Sequence, residues 1–183
     1  MTKLNEWFEK GLTSEQYIDQ MESHKENMQK VYDEFKLPED QTFFDQLKEK
    51  NLKAIVLTED WCGDAMMNNP VLLKLAEQSG MEVRFLLRDS NLELMDQYLT
   101  NGTSRAIPIF IFIDENGEEV AKWGPRAEKV QSFVDEARSN LPAQEDPAFK
   151  DGQSLMIKQL TAAYTEREDF WNEVYEELKQ TLS

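Results

Sequence analysis

The chain has 183 residues, 40% of them hydrophobic, with four Trp and ten Phe, so it can bury the core of one domain but not of two large ones. Its 20 Lys and Arg against 36 Asp and Glu give a net charge of −16, which repels the phosphates of nucleic acids and of anionic membranes. We therefore expect neither nucleic acid nor a membrane surface as a partner.

The N-terminal part of the chain has helical patterns. Apolar residues recur at three- and four-residue steps over 13–35, which predicts one amphipathic helix that Thr13 or Ser14 can cap. A second, shorter helix is predicted over 39–49, after a proline interrupts the pattern. We interpret 1–50 as an N-terminal helical extension.

Strands and helices alternate in the middle of the chain, over 52–141. Short apolar runs rich in β-branched residues predict strands, and helical spacing of apolar residues predicts helices. The predicted order is a strand at 53–58, a helix that contains Pro70 and ends at Gly80, a strand at 81–87, a helix at 91–99, a strand at 107–113, a returning hairpin strand at 119–123 and a helix at 127–141.

A polar, proline-containing linker is predicted over 142–152, and one long helix over 153–182. The long helix and the N-terminal helices each have a single apolar stripe, which must be covered to be stable. We therefore expect them to pack on the middle part as one domain over 1–183.

The segment TEDWCGDAMMN, residues 58–68, contains the only cysteine, Cys62. If Cys62 begins the helix that follows the first strand, the unpaired backbone N–H groups and the helix dipole favour its thiolate. Asp64 opposes a second negative charge nearby, and its ordinary role is to cap the same helix. Two interpretations stay open: a reactive, partly exposed thiol, or an inert thiol packed as a small apolar side chain.

The order of these features resembles the thioredoxin-like superfamily. The matching residues are Trp61-Cys62-Gly63 after a strand, Ile107-Pro108 before a strand, and an Asn116-Gly117 hairpin that ends near Trp123-Gly124. The resemblance spans about 52–141. It implies an α/β fold with a mixed central β-sheet flanked by helices, to which this chain adds N-terminal helices and a long C-terminal helix.

The resemblance also implies which residues form the site. Cys62 would be the nucleophile. Pro108 is expected to be cis and to lie, with the backbone of Ile107, beside it. The other neighbours in the site would be Trp61, Gly63, Asp64 and Ala65. The second cysteine of the family's C-x-x-C motif would fall at Ala65, and its buried acid at Val56. The motif Trp-Cys-Gly-Asp-Ala is therefore monothiol and lacks the family's proton-relay carboxylate.

Two functions follow from this motif. In the first, Cys62 exchanges mixed disulfides with a low-molecular-weight thiol or a protein disulfide, which needs only one protein sulfur. In the second, the groove between Trp61 and Pro108 binds a protein or peptide without turnover, and Trp61 exposes one face to the partner. A Cys62 pKa below about 7 would favour the first function, because a binding module needs no thiolate.

Metal and cofactor chemistry has little support in the sequence. One Cys and one His provide no cluster of soft ligands, so we expect no metal and no cofactor. His24 lies on the apolar stripe of the first predicted helix and is interpreted as a core or boundary residue, not as a base for Cys62. A lone cysteine and the lack of an apolar signal segment favour the cytoplasm.

Overall fold

The structure is a computed structural model that describes residues 3–183, so the first two residues of the predicted N-terminal extension lie outside it. A four-stranded sheet in the order β2–β1–β3–β4 lies at the centre. The strands are β1 (Lys53–Thr58), β2 (Glu82–Leu87), β3 (Ile109–Ile113) and β4 (Glu119–Trp123). β1 runs parallel to β2 and antiparallel to β3, which is antiparallel to β4. The mixed sheet of a thioredoxin-like α/β fold is thereby confirmed.

Helices surround this sheet in the described part of the chain. They are α1 (Leu4–Lys10), α2 (Ser14–Gln20), α3 (Lys25–Glu34), α4 (Gln41–Glu49), α5 (Gly63–Ser79), α6 (Leu92–Met95), α7 (Glu128–Ser139), α8 (Phe149–Glu166) and α9 (Glu168–Leu182). The capping and turn residues explain several ends: Thr13 and Gln16 form a capping box at the start of α2. Gly80, with φ of 72°, ends α5 in the left-handed conformation.

The two central strands, β1 and β3, are buried along nearly their whole length, which explains their continuous apolar sequences, whereas the edge strand β4 is mostly exposed. Val56, Phe110 and Phe112 pack into a cluster that includes residues of α3, α5 and α9. Ile55, Leu57 and Ile111 point the other way, into a second cluster with residues of α1 and α6. Cys62 and Ala65 belong to this second cluster. The motif therefore lies at the end of β1, between the sheet and its smaller helical layer.

The single N-terminal helix predicted over 13–35 is wrong. α2 ends at Gln20 and α3 starts at Lys25, and between them His24 adopts a left-handed φ of 57°. The Asp60 carboxylate, from the loop after β1, accepts hydrogen bonds from the N–H groups of Glu22 (2.8 Å) and Ser23 (3.3 Å). This distant contact stabilises the break, while Met21 and Met28 keep a helical spacing across it.

The predictions for the C-terminal part also need correction. The linker predicted over 142–152 is shorter, because α8 begins at Phe149 and contains Gly152. The helix predicted over 153–182 is two helices that meet at Arg167. Trp171 Nε1 donates to the carbonyl of Tyr164 (2.8 Å) and Lys30 Nζ to that of Thr165 (2.7 Å). These side chains take carbonyls that the next helical turn would otherwise use.

Two further local predictions differ from the structure. The helix predicted over 91–99 is limited to α6. After it, the backbone N–H of Gln97 donates to the carbonyl of Leu94 and that of Tyr98 to the carbonyl of Met95, so the chain continues in tighter turns. The short helix α1, which buries Trp7 and Phe8 on the sheet, was not predicted as a separate helix of the N-terminal extension.

Candidate functional site

Cys62 occupies the N-cap position of α5, as the motif predicts. Its φ and ψ of −83° and 118° are extended, and Gly63 begins the helix. The sulfur accepts a hydrogen bond from the N–H of Ala65 (3.4 Å). The thiol donates to the carbonyl of Ile107 (3.5 Å). The 17-residue helix therefore directs its unpaired first N–H groups toward the sulfur, which favours a thiolate.

Burial acts against that thiolate. Cys62 is only 8% exposed. Burial raises the pKa of its thiol to about 11, and the nearby charge of Asp64 raises it further, whereas the N–H groups of Ala65 and Asp64 and the charge of Arg126 lower it less. At pH 7 a thiol with this pKa is ionised in roughly one molecule in 10,000. Of the two interpretations of Cys62, the structure favours the buried, protonated thiol.

Pro108 lies where the resemblance implies. The Ile107–Pro108 peptide is cis, and both residues are buried. Gly124 packs directly on this proline: a Cβ at position 124 would lie 2.2 Å from the Pro108 carbonyl oxygen, and Gly124 has a φ of 131°. Only glycine fits such a position. The segment after β4 therefore packs against the backbone of Pro108 and Ile109.

Trp61 is the exposed member of the motif. Its side chain is 51% exposed, whereas Trp7, Trp123 and Trp171 are at most 8% exposed. The guanidinium of Arg88 lies 4.9 Å from the centre of the Trp61 ring, within the range of a cation–π interaction. The indole is thus held on the surface beside the buried thiol, as the sequence predicts.

Asp64 does not cap α5 in the expected way. Its two carboxylate oxygens pair with Nε and Nη2 of Arg126, both at 2.8 Å. The Tyr164 hydroxyl donates to the same carboxylate at 2.8 Å. The side chains of Asp64 and Arg126 are only 13% and 15% exposed. Burial and the charge of Asp64 raise the pKa of Tyr164 well above its usual value, so its hydroxyl remains a donor.

Sequence reasoning missed Arg126 and Tyr164. They lie 62 and 100 residues from Asp64 along the chain, and one comes from the loop before α7 and the other from α8. The Tyr164 ring also packs on Gly63, since a Cβ built at position 63 would lie 3.8 Å from its ring carbons. An acidic residue in a helical first turn is ordinary, so no local signal identified these partners.

The two positions at which the family has its acid and its second cysteine are apolar and buried in this chain. Val56 and Ala65, the positions of the family's acid and second cysteine, are 0% and 1% exposed. Thr58 shares a 3.1 Å hydrogen bond with the Tyr17 hydroxyl and accepts one of 3.2 Å from Asn69 Nδ2. His24 is paired at Nδ1 with Asn27, at 3.1 Å. These contacts hold the motif in place but provide no general base for Cys62.

Residues 3–183 have neither a candidate metal site nor a membrane-spanning helix. No three His, Cys, Asp or Glu side chains lie together in a way that could hold a metal ion. None of the helices described is both long and apolar enough to cross a membrane.

Comparisons with known proteins identify the family. A protein of unknown function from Pseudomonas aeruginosa has a similar structure, with a TM-score of 0.63 and 16% identity over 97% of this chain and 99% of its own. An HIV epitope-scaffold has a TM-score of 0.69 and 15% identity over 99% of this chain and 98% of its own. No curated protein matches the sequence. The sequence profile of a family described as thioredoxin matches residues 11–138, more than half of the chain. The chain therefore belongs to the thioredoxin family.

Proposed function

We propose that this thioredoxin-family protein binds a partner protein or peptide at the surface beside Trp61 and does not catalyse thiol exchange. The observation that carries the proposal is the state of Cys62, which is 8% exposed and has a pKa raised to about 11 by burial and by Asp64. A nucleophilic cysteine needs an accessible thiolate at neutral pH. The alternative function predicted from the motif, a binding module, needs neither an accessible sulfur nor a thiolate.

Trp61 is the anchor of the proposed surface. A half-exposed indole that is already fixed by Arg88 loses little conformational entropy on binding, and tryptophan is enriched among residues that dominate binding energy. The net charge of −16 favours a partner with a basic surface, because charge complementarity speeds association and selects among partners. The cytoplasm is the compartment in which we propose that this partner is met.

Site-specific photocrosslinking in cells tests the surface. A photoreactive phenylalanine derivative, which keeps an aromatic ring at the anchor position, replaces Trp61 in one variant and Val120, which is 50% exposed on the edge strand β4, in the control. We expect a defined crosslinked product from position 61, none from position 120, and an unchanged product when Cys62→Ala is added. Loss of the product on Cys62→Ala would show that the contact depends on the thiol and would contradict the proposal.

A second function, monothiol exchange, is favoured by one observation: the Cys62 sulfur accepts the N–H of Ala65 at the start of α5. In this reaction the Cys62 thiolate attacks one sulfur of a mixed disulfide, forms a new S–S bond and releases the other sulfur as a thiolate. A second free thiol then attacks the adduct and regenerates Cys62. A low-molecular-weight thiol or a protein disulfide is the substrate class.

Intact-mass measurement distinguishes the two functions. Native protein is incubated with oxidised glutathione at pH 7.5 or so, and denatured protein is treated in parallel as the control for thiol content. We expect one glutathione on the denatured chain and none on the native chain, because the native thiol is buried and protonated. A stable adduct on the native protein would favour monothiol exchange instead.

A further inference from the structure

The two C-terminal helices differ sharply in how they are buried. α9 packs one face into the core, and its buried residues are Phe170, Trp171, Val174, Tyr175, Leu178 and Leu182. α8 has 18 residues, of which only Tyr164 and Thr165, near its end, are buried. Leu155 and Ile157, in its middle, are 56% and 54% exposed. Elements with few buried contacts open at a lower free energy than the core does, so α8 is the weaker of the two.

The last turn of α8 closes over the start of α5. The Tyr164 ring packs on Gly63, the residue after Cys62. Its hydroxyl donates to Asp64, which Arg126 holds by two hydrogen bonds. Arg126 follows the Gly124 segment that packs on Pro108. Tyr164 thus covers Gly63 and Asp64 in the first turn of α5, which follows Trp61 and Cys62 in the chain.

Both ends of α8 adjoin non-helical chain. The preceding segment, 140–148, contains exposed residues throughout much of its length. At the other end Arg167 leaves the helical conformation, with φ of −88° and ψ of 99°. The Arg167 guanidinium lies 3.8 Å from the centre of the Phe170 ring, so the α9 side of this joint is fixed to the core. These two joints are the points about which α8 would turn while α9 stays packed, and opening would also break the hydrogen bonds that the carbonyls of Tyr164 and Thr165 accept from Trp171 and Lys30.

We propose that α8 is a displaceable, autoinhibitory cover over the first turn of α5, attached to Asp64 by Tyr164. This inference rests on the proposed function, because a partner that binds beside Trp61 must displace Tyr164 from Gly63 to reach the rest of the motif. The closed form is the one described by the contacts above. In the open form Gly63, Asp64 and Arg126 become accessible and α9 remains packed.

A thiol placed under the cover tests the proposal. In a Cys62→Ala background, Gly63→Cys puts the only thiol of the chain against the Tyr164 ring, at an ordinary contact distance for its Cβ. We expect Tyr164→Ala to speed labelling of this thiol by iodoacetamide at least roughly tenfold, because the rate follows the population of the open form. With Tyr164→Phe, which keeps the ring and loses the hydrogen bond, the labelling rate should lie between those of the parent protein and of Tyr164→Ala.

Tyr32 is the matched control. Its hydroxyl donates to the carboxylate of Glu77, near the other end of α5, at 2.7 Å. Tyr32→Ala should therefore leave the labelling rate of the Gly63→Cys thiol unchanged, when each variant is labelled at the same number of degrees below its own melting temperature. Equal acceleration by Tyr32→Ala and Tyr164→Ala, or no acceleration by Tyr164→Ala, overturns the proposal.

Hydrogen exchange on the unmodified chain provides a test that does not depend on any variant folding. We expect amides of α8 to exchange through local opening, faster and with less denaturant dependence than those of α9. If both helices exchange only through global unfolding, α8 does not open separately from the core and the proposal is wrong. A crosslink at Trp61 that depends on Cys62 would overturn the proposed function while leaving these exchange and labelling results unaffected.

Discussion

The carboxylate of Asp64 has two effects, one on stability and one on the thiol. It compensates the buried charge of Arg126 through two hydrogen bonds, and it raises the pKa of Cys62. Burying an ion pair has a large desolvation cost, and removal of one partner leaves the other charge uncompensated. Removal of one partner should therefore destabilise this protein more than breaking an exposed ion pair does.

Asp64→Asn should lower the free energy of unfolding by about 3 kcal/mol, because Arg126 then loses its buried partner. The control is Asp169→Asn, which breaks the pairs of Asp169 with Arg167 and Lys129, where the Asp169 side chain is 43% exposed; it should cost less than about 1 kcal/mol. Urea denaturation measures both. Equal losses in the two variants would show that the Asp64 pair behaves as a surface pair.

The raised pKa of Cys62 predicts a pH dependence of stability. The folded thiol titrates at about 11 and the unfolded thiol near 9.0, so the folded state binds the proton more tightly. The contribution of this thiol to the free energy of unfolding is complete below pH 9. It is lost as the pH rises toward 11, by at most about 1.4 kcal/mol per pH unit. Tyr17, with a pKa raised to about 12 by burial, adds a loss at higher pH.

The contribution of Cys62 is isolated by comparison with Cys62→Ser, since the tyrosines are common to both proteins. The stability advantage of the wild type should shrink between pH 8 and pH 10.5 or so, when unfolding is measured in urea at each pH. A difference that stays constant over this range would mean that the native thiol titrates at its ordinary value. That result would also remove the main support for the proposed binding function.

The first turn of α5 is the element that would carry redox chemistry if a second sulfur were present. The N–H of Ala65 lies 3.4 Å from the Cys62 sulfur, and residues three apart in a helical turn have Cα atoms about 5 Å apart, within bridging range. Ala65 is 1% exposed, so its replacement by a larger side chain can cost about 1–3 kcal/mol of overpacking.

Ala65→Cys should form an internal disulfide with Cys62 under mild oxidant, seen by intact mass as the loss of two hydrogen atoms. Ala76→Cys is the control, because Ala76 is also buried in α5, at 3% exposure, but lies about 16 Å further along the helix. It should remain a dithiol. If Ala65→Cys folds and also remains reduced, the two positions do not face each other and the motif is not a C-x-x-C site that has lost one sulfur.

Packing at the level of the chain links both terminal regions to the sheet. α9 buries six residues in the larger core cluster. Its Glu177 accepts a hydrogen bond from Trp123 Nε1 (2.9 Å), and its Tyr175 donates to Asp40 (3.1 Å). Because these contacts reach both β4 and the N-terminal extension, we expect 1–183 to unfold as one cooperative unit.

A single cut in the exposed segment 140–148 tests this expectation. After cleavage at an engineered protease site there, the two fragments should co-elute in size-exclusion chromatography and melt in one transition, because α9 stays packed in the core. A chain that ends at residue 141 should fail to fold. Release of a soluble 1–141 fragment with unchanged thermal stability would show that the C-terminal helices are dispensable.

Local pattern was sufficient to predict much of the fold. The apolar β-branched residues of β1, the hairpin turn at Asn116-Gly117 and the Gly80 end of α5 depend on near neighbours in the chain, and each is found where it was predicted. The strand predicted over 107–113 is also present as β3, but it begins two residues later, at Ile109. The pattern also placed Cys62 at a helix start. These features follow from side-chain periodicity and backbone preference, which a sequence displays directly. The position of Ile107 beside Cys62 is different, because only the resemblance to thioredoxins implied it.

Features that depend on distant contacts could not be predicted in this way. The break between α2 and α3 is stabilised by Asp60, some 38 residues away, and the neighbouring apolar residues keep helical spacing across it. The pairing of Asp64 with Arg126 and Tyr164 joins segments 62 and 100 residues apart. The reactivity of Cys62 belongs to the same class: the sequence placed the thiol, but its burial, and hence its protonation at neutral pH, came from the packing of elements around it.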